Sequence, residues 1–274
     1  MTQQPVIHQE FDFAAEVAKV KARMDDTKVQ ALVLAPSGGG KSSLCGTFGV
    51  PTLFLFCSAE WHGPKTADAF STGPISAMCI DEGRTPDEAL DFLNSVLTNK
   101  EFLSSYEAIA IDSATKLELL MRESTEFRTR CLTDKGKHNS FGESAALAFM
   151  FDELIKKIQL TEKHSVMTLA LDVKEMDAET GEIVEAQARV SAYAVADSII
   201  MSHGDVFIIG PMSRNDKTAH RIQFNGKITR TSKDAAGVVK KFLNFTPRLT
   251  GCTKLPTTLP PFLSDVLKYK KENK

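Results

Sequence analysis

The stretch from Ala35 to Ser43, APSGGGKSS, is the feature that most restricts how this chain can fold. Three consecutive glycines are unfavourable inside a helix or a strand, because glycine loses more backbone freedom on folding than any other residue. The preceding run, VQALVLA at 29–35, is typical of a strand buried on both faces, and KSSLCGTF after the glycines opens a helix. The pattern therefore predicts a strand, a tight bare loop and a helix in direct succession.

Composition excludes several classes of protein. The chain has 274 residues, of which 42% are hydrophobic and 25% charged, as in ordinary globular domains. No apolar run reaches the ~20 residues that a membrane-spanning helix needs, so no membrane partner is expected. The N-terminus lacks the parts of a signal peptide, and the five cysteines form no CxxC pair, so a cytoplasmic location is expected. The net charge of −2 means that any nucleic acid would be held by local basic patches.

Three parts are expected along the chain. Residues 1–27 form an N-terminal helical extension, residues 28–248 form the core, and residues 249–274 form a proline-containing linker with a short basic helix. In the core, strands alternate with helices before hairpins take over. This order predicts an α/β fold with a mostly parallel sheet flanked by helices, and antiparallel strands added at its C-terminal side.

Two hairpins are predicted in the second half of the core. A polar hairpin is expected at 173–190, around Thr180 and Gly181. Asn225 and Gly226 are a strong two-residue turn signal, and they predict that the strands AHRIQF and KITRTS pair with each other.

The glycine loop has the spacing of a nucleotide-binding P-loop, G-x-x-x-x-G-K-[ST], with Ala35 in place of the first glycine. Backbone N–H groups of residues 38–42 can surround phosphate oxygens, which explains the missing side chains. Lys41 would reach the β- and γ-phosphates, and the Ser42 hydroxyl would bind Mg²⁺. ATP and Mg²⁺ are therefore the expected ligands. The predicted nucleotide-binding residues are Ser37, Gly38, Gly39, Gly40, Lys41, Ser42 and Ser43.

Two acidic residues follow buried strands and are candidates for the chemistry. Asp112 ends YEAIAID and is expected to help hold Mg²⁺ together with Ser42, the alternative being a helix cap. Glu60 follows TLFLFC, the strand after the P-loop helix. RecA-like ATPases carry the glutamate that polarises the attacking water at this place, and the resemblance makes Glu60 a candidate general base. Its alternative is a solvated loop acid.

These segments resemble the RecA-like ATPase core: APSGGGKSS, then FLFCSAE, then AIAIDS, then the strand MTLALD. The D-x-x-T-G hairpin and the closing ITRTSKDAAG are similar to phage-encoded RecA-like ATPases, including the Sak-type single-strand annealing and recombination proteins. The resemblance covers about residues 28–245. It implies a RecA-like P-loop NTPase core in which Glu60 polarises the attacking water.

The resemblance also implies an ATP site shared between copies of the chain. In RecA-like assemblies a neighbouring subunit directs basic residues at the γ-phosphate, and Arg230 and Lys233 match that position. Two solvated surface charges are the alternative. Asp172, at the end of MTLALD, could sense the γ-phosphate through water, although RecA-like proteins more often have an amide there.

A mixed-charge segment, residues 121–140, is the candidate for contact with DNA. With His138 and Phe141 it could follow a single-stranded backbone and stack a base, the alternative being an ordinary solvated loop. The predicted DNA-binding residues are Arg122, Arg128, Arg130, Lys135 and Lys137.

Taken with the resemblance, these residues favour a DNA-dependent ATPase that acts on single-stranded DNA in phage recombination or annealing. Expected partners are single-stranded DNA, further copies of the chain in a ring or filament, and a phage single-strand-binding protein, in the host cytoplasm. Two alternatives stay open. One is a hexameric DNA motor of the helicase or packaging type, and the other is a nucleotide-gated DNA-binding module with little turnover.

Overall fold

The computed structural model describes residues 28–176, 183–191, 193–203, 205–211, 220–223, 226–234, 237–245, 254–257 and 263–264. The predicted N-terminal helix, the tip of the 173–190 hairpin, and most of the predicted C-terminal helix lie outside the described residues.

Eleven strands and eight α-helices are described. The strands are β1 Gln30–Ala35, β2 Thr52–Phe56, β3 Ile75–Cys79, β4 Ala108–Asp112, β5 His164–Met176, β6 Ile183–Ala188, β7 Asp205–Pro211, β8 His220–Gln223, β9 Gly226–Asp234, β10 Gly237–Phe245 and β11 Lys254–Thr257. The helices are α1 Lys41–Cys45, α2 Gly63–Ala69, α3 Pro86–Thr98, α4 Lys100–Leu103, α5 Ala114–Glu123, α6 Thr125–Arg130, α7 Glu143–Leu160 and α8 Tyr193–Met201. None of the helices in the described part of the chain has the length and apolar character needed to span a bilayer.

Six parallel strands form the centre of the sheet. They lie side by side in the order β3, β2, β4, β5, β1, β7. Strand β5 therefore separates β1, which leads into the glycine loop, from β4, which ends at Asp112. Because the strands are parallel, their carboxyl ends all meet at one edge. The predicted α/β fold, with a mostly parallel sheet flanked by helices, is confirmed.

Strand β1 shows why these apolar runs are continuous. Leu32 and Leu34 belong to a cluster shared with residues of α3, α5, α7 and α8 on one face of the sheet. Ala31, Val33 and Ala35 belong to a second cluster, which includes residues of α1 and α2 on the other face. A strand covered on both faces needs an apolar residue at every position, as the sequence of β1 has.

Further strands are added to the C-terminal part of β5 and to β7. Strand β5 continues past the parallel region and pairs with β6, so the polar hairpin predicted at 173–190 is confirmed in its strands. Strand β9 pairs in parallel with β6 and antiparallel with β10. Strand β8 pairs with β7 and with β11, which lies within the predicted linker at 249–274.

The hairpin predicted at Asn225 and Gly226 is wrong. The two strands that flank this turn do not pair with each other: β8 lies between β7 and β11, whereas β9 lies between β6 and β10. A local turn preference is worth less than the backbone hydrogen bonds that β8 makes with β7 and β9 makes with β10.

Candidate nucleotide site

The glycine loop has the bare, tightly turned backbone that its sequence predicts. Gly38 and Gly40 have φ angles of +74° and +87°, a region that side chains disfavour. A Cβ atom on Gly39 would lie 2.9 Å from the Cβ of Ala35 and 3.0 Å from the Pro36 carbonyl oxygen. Ala35 itself lies in the extended backbone of β1, where alanine is unstrained. The departure from the usual P-loop glycine therefore leaves the loop intact.

Lys41, the first residue of α1, folds back over this loop. Its Nζ donates hydrogen bonds to the carbonyl oxygens of Ala35 and Pro36, each at 3.1 Å. Burial lowers the pKa of Lys41, while the charges of Asp112 and Glu60 oppose that lowering. The ammonium group is thus poised at the loop, close to two carboxylates.

Asp112 receives a hydrogen bond on each carboxylate oxygen. The Ser42 hydroxyl donates to Oδ2 at 2.5 Å, and the Thr168 hydroxyl donates to Oδ1 at 2.5 Å. The carboxylate is almost fully buried, with 1% of the residue exposed. Ser42 and Asp112, the two predicted Mg²⁺ residues, are therefore brought together. Thr168, which the sequence did not single out, completes the arrangement because β5 lies between β1 and β4.

These residues fit a magnesium ion. Mg²⁺ prefers oxygen ligands and is usually held by one or two protein groups together with phosphates and water. The hydroxyl and carboxylate in contact here are such groups. Gly63, at the start of α2, leaves this space open, since a Cβ there would lie 2.8 Å from Asp112 Oδ2. In the described part of the chain no cluster of three acidic, histidine or cysteine side chains forms an all-protein metal cage.

Glu60 reaches the same edge of the sheet from β2. Phe56, the last residue of β2, is in register with Asp112, and a short 3-10 turn over Ser58–Glu60 follows. The Ser113 hydroxyl donates a 3.4 Å hydrogen bond to Glu60 Oε1. Burial raises the pKa of Glu60, and the nearby charge of Asp112 raises it further. A carboxylate with a raised pKa is a better proton acceptor near neutral pH, as a general base requires.

Asp81 holds the turn that carries Glu60. Its two carboxylate oxygens accept hydrogen bonds from the Ser58 backbone N–H at 2.6 Å and the Ser58 hydroxyl at 2.9 Å. Sequence reasoning missed this residue. The available signal was its position two residues after β3, which runs parallel to β2 and ends at the same edge of the sheet.

Asp172, the predicted γ-phosphate sensor, is bonded to an arginine. Its Oδ1 accepts hydrogen bonds from Arg189 Nε at 2.7 Å and from Arg189 Nη2 at 2.6 Å. This bond lowers the pKa of Asp172. Arg189 lies in a polar hairpin with no motif of its own, and the sequence did not single it out.

Two of the five predicted DNA-binding residues form ion pairs within the described structure. Arg122 contacts Glu118 at 3.2 Å and Glu143 at 3.4 Å. Arg130 contacts Glu126 at 2.7 Å and, more distantly, another acid on α7. These two arginines link α5 and α6 to α7.

The other three predicted residues are exposed. Arg128 lies on α6, and Lys135 and Lys137 lie in a tight hairpin over residues 131–139. Its ends are joined by a 2.7 Å hydrogen bond from Asn139 N to the Cys131 carbonyl oxygen. Phe141, just beyond it, is 96% exposed. Basic and aromatic side chains are thus exposed within the stretch 128–141.

Arg230 and Lys233 lie on β9, where they are in register with Lys241 and Val238 of β10. The structure describes only the backbone here, so their roles stay predictions.

Comparison with known proteins places this geometry in a family. No curated protein sequence matches the chain. A family model described as AAA domain (AAA_24) matches residues 27–232, a range that contains the glycine loop, Glu60 and Asp112. The match spans well over half of the chain and agrees with the P-loop and the sheet around it. The chain therefore belongs to the AAA domain family of P-loop ATPases.

Proposed function

We propose that this protein hydrolyses ATP at the site formed by Lys41, Ser42, Asp112 and Glu60, and that ATP controls its assembly on single-stranded DNA. The observation that carries the proposal is the convergence of these four side chains at one edge of the sheet, although they come from three different strand ends.

Each residue has a part in the chemistry. The loop backbone and Lys41 bind the phosphates, and Ser42 and Asp112 hold Mg²⁺, which neutralises charge on the phosphate oxygens when bound. Glu60 accepts a proton from the water that attacks the γ-phosphorus. A new oxygen–phosphorus bond forms while the bond to the bridging oxygen breaks, which leaves ADP and phosphate.

A neighbouring copy of the chain supplies further charge in this proposal. The resemblance to RecA-like ATPases supports Arg230 and Lys233 acting across a subunit boundary, in a ring or a filament. Positive charge aimed at the γ-phosphate stabilises the negative charge that develops during transfer.

Single-stranded DNA contacts the hairpin over residues 131–139 in this proposal. Arg128, Lys135 and Lys137 follow the phosphate backbone, and the exposed ring of Phe141 stacks on a base. Arg122 and Arg130 support this surface by holding the helices beneath it, since their charges already meet acidic partners. The resemblance further supports a place in phage recombination or annealing, beside a single-strand-binding protein in the host cytoplasm.

The test combines turnover with assembly. Phosphate release is measured with and without a single-stranded oligonucleotide, and light scattering follows assembly with ATP and Mg²⁺. Stimulated turnover with DNA-dependent assembly supports the proposal. Nucleotide-dependent DNA binding with negligible turnover would establish the binding module instead, and ATP-driven unwinding of a forked duplex would establish the motor.

A further inference from the structure

Arg189 occupies the same edge of the sheet as the glycine loop. It directly follows β6, and its backbone N–H donates a 2.8 Å hydrogen bond to the Ala170 carbonyl oxygen on β5. Ala170 is in register with Ala35, the last residue of β1 before the loop. The arginine therefore leaves the sheet at the level where the phosphate-binding loop begins.

The P-loop lysine lies at the same edge of the sheet. Lys41 Nζ donates to the Ala35 carbonyl oxygen, and Ala35 is in register with Ala170, the residue that Arg189 N–H contacts. Two cationic residues thus lie at the edge where the glycine loop begins, and a bound triphosphate would attract both.

A phosphate can replace Asp172 as the partner of Arg189. Both N–H···O contacts from Arg189 go to one oxygen of Asp172. The side chains are 47% and 40% exposed, and exposed ion pairs contribute little to stability because water and salt screen them. A phosphate offers several charged oxygens in the geometry that a guanidinium binds best.

Buried contacts hold the backbone around Arg189 in place. The carboxylate of Glu118 is almost fully buried and accepts the Ser191 N–H on both oxygens, each at 3.0 Å. Thr115 Oγ1 accepts the Ala170 N–H at 3.1 Å. Both acceptors lie on α5, the helix that begins directly after Asp112 and Ser113. The arginine is therefore positioned by the same helix that follows the Mg²⁺ carboxylate.

We propose that Arg189 binds the γ-phosphate of ATP held by its own subunit, and that Asp172 holds the guanidinium when no γ-phosphate is present. This inference rests on the proposed ATPase function. When ATP binds, the Arg189 guanidinium leaves Asp172 and binds the γ-phosphate. When the γ-phosphate leaves, the guanidinium binds Asp172 again. Arg189 belongs to the subunit that binds the ATP, whereas Arg230 and Lys233 are proposed to belong to a neighbouring subunit.

The first experiment compares Arg189→Ala and Arg189→Lys with the unaltered protein. Affinities for AMP-PNP and ADP are measured by displacement of a fluorescent nucleotide, and turnover is measured by phosphate release. We expect Arg189→Ala to lower kcat about 100-fold or more, the effect of removing a transition-state donor. It should weaken AMP-PNP at least ~10-fold, as loss of a charged hydrogen bond does, and leave ADP within about twofold. Arg189→Lys should recover part of both losses. Unchanged kcat together with unchanged discrimination between the two nucleotides would overturn the inference.

Asp172→Asn and Lys100→Ala provide the controls. Without the competing carboxylate, Asp172→Asn should bind AMP-PNP at least as tightly as the unaltered protein. A loss equal to that of Arg189→Ala would show that the pair is structural and overturn the switch. Lys100 is exposed on α4, which leads to the opposite edge of the sheet, so Lys100→Ala should leave both affinities unchanged.

A mixing experiment decides which subunit supplies Arg189. If it acts in its own subunit, Arg189→Ala mixed with Lys41→Ala stays inactive, because neither chain has both residues at one site. Restored turnover would place Arg189 in a neighbour's site and overturn the inference.

The Lys41→Ala variant by itself distinguishes failure of the Arg189 inference from failure of the proposed ATPase function. Normal turnover in that variant would refute the ATP site itself, whereas loss of turnover there with normal Arg189→Ala would refute only the role of Arg189.

Discussion

The Ser42 hydroxyl donates a 2.5 Å hydrogen bond to Asp112 Oδ2, which joins two residues that are 70 positions apart in the chain. Their contact brings the phosphate loop and the end of β4 to one point, although another strand lies between β1 and β4. Substitutions at this point should therefore separate nucleotide binding, metal binding and catalysis.

Asp112→Asn should retain the fold and lose most of its turnover. The amide has the shape of the carboxylate and can still meet the hydroxyls of Ser42 and Thr168, but it lacks the charge that attracts Mg²⁺. We expect kcat to fall about 100-fold or more at millimolar Mg²⁺, as for loss of a key electrostatic group. A magnesium titration of phosphate release measures this, and an unaltered titration curve would contradict the metal assignment.

Thr168→Val tests how much the hydrogen bond between Thr168 and Asp112 contributes to stability. It removes the hydroxyl that donates to Asp112 Oδ1 and leaves a buried acceptor without its partner. The free energy of unfolding should fall by about 1–3 kcal/mol. Urea denaturation measures the change, and a neutral result would mean that the bond adds nothing to stability.

Lys41→Ala should abolish hydrolysis and weaken nucleotide binding while the fold persists. Among the described residues, the ammonium group donates hydrogen bonds to two loop carbonyls, and neither contact joins distant parts of the core. Circular dichroism checks the fold, and phosphate release checks activity. Wild-type turnover in this variant would refute the assignment of the P-loop.

Glu60→Gln should bind ATP and hydrolyse it at least ~100-fold more slowly, since a positioned base is lost. It should also be more stable than the unaltered protein at neutral pH. The pKa of Glu60 is raised in the folded state, so ionisation costs stability as pH rises above the ordinary value of 4.5. Below pH 4.5 the carboxyl is protonated in both states and the difference should vanish. Thermal melts from pH 4 to pH 8 measure this, and a difference independent of pH would contradict it.

Neutralising Arg128, Lys135 and Lys137 together should weaken binding to single-stranded DNA and flatten its salt dependence, because fewer counterions are released. Neutralising Arg122 and Arg130 should change the salt slope less and lower stability more, since both residues already join helices. Fluorescence anisotropy across salt concentrations compares the two variants. Equal slopes would mean that the hairpin does not bind DNA.

Mixed assemblies test the neighbour's charges. If Arg230 and Lys233 act across a subunit boundary, the double alanine variant and Glu60→Gln are each inactive alone. In a mixture, some boundaries pair the intact Glu60 of one subunit with the intact Arg230 and Lys233 of its neighbour. Some turnover should return on mixing, with assembly confirmed by light scattering. An inactive mixture would mean that both residues act within their own chain or have no catalytic part.

The sequence by itself determined the local features of this protein. The bare glycine loop, the buried strands and the acids that follow them could all be read from adjacent residues, because periodicity and backbone freedom are local properties. Lys41, Ser42, Glu60 and Asp112 were identified in this way. Only the tertiary structure decided which strand lies beside which. It placed β5 between β1 and β4 and brought Thr168 to Asp112.

The same distinction explains what sequence reasoning missed. Arg189 donates a hydrogen bond to Asp172, and the Ser191 N–H donates one to Glu118. The paired residues belong to no common sequence motif. The turn at Asn225 and Gly226 does not join a hairpin because β8 pairs with the strand before it, β7, and β9 pairs with the strand after it, β10. Pairing of strands depends on the burial and hydrogen bonding of the whole sheet, and no short window of sequence contains that sum.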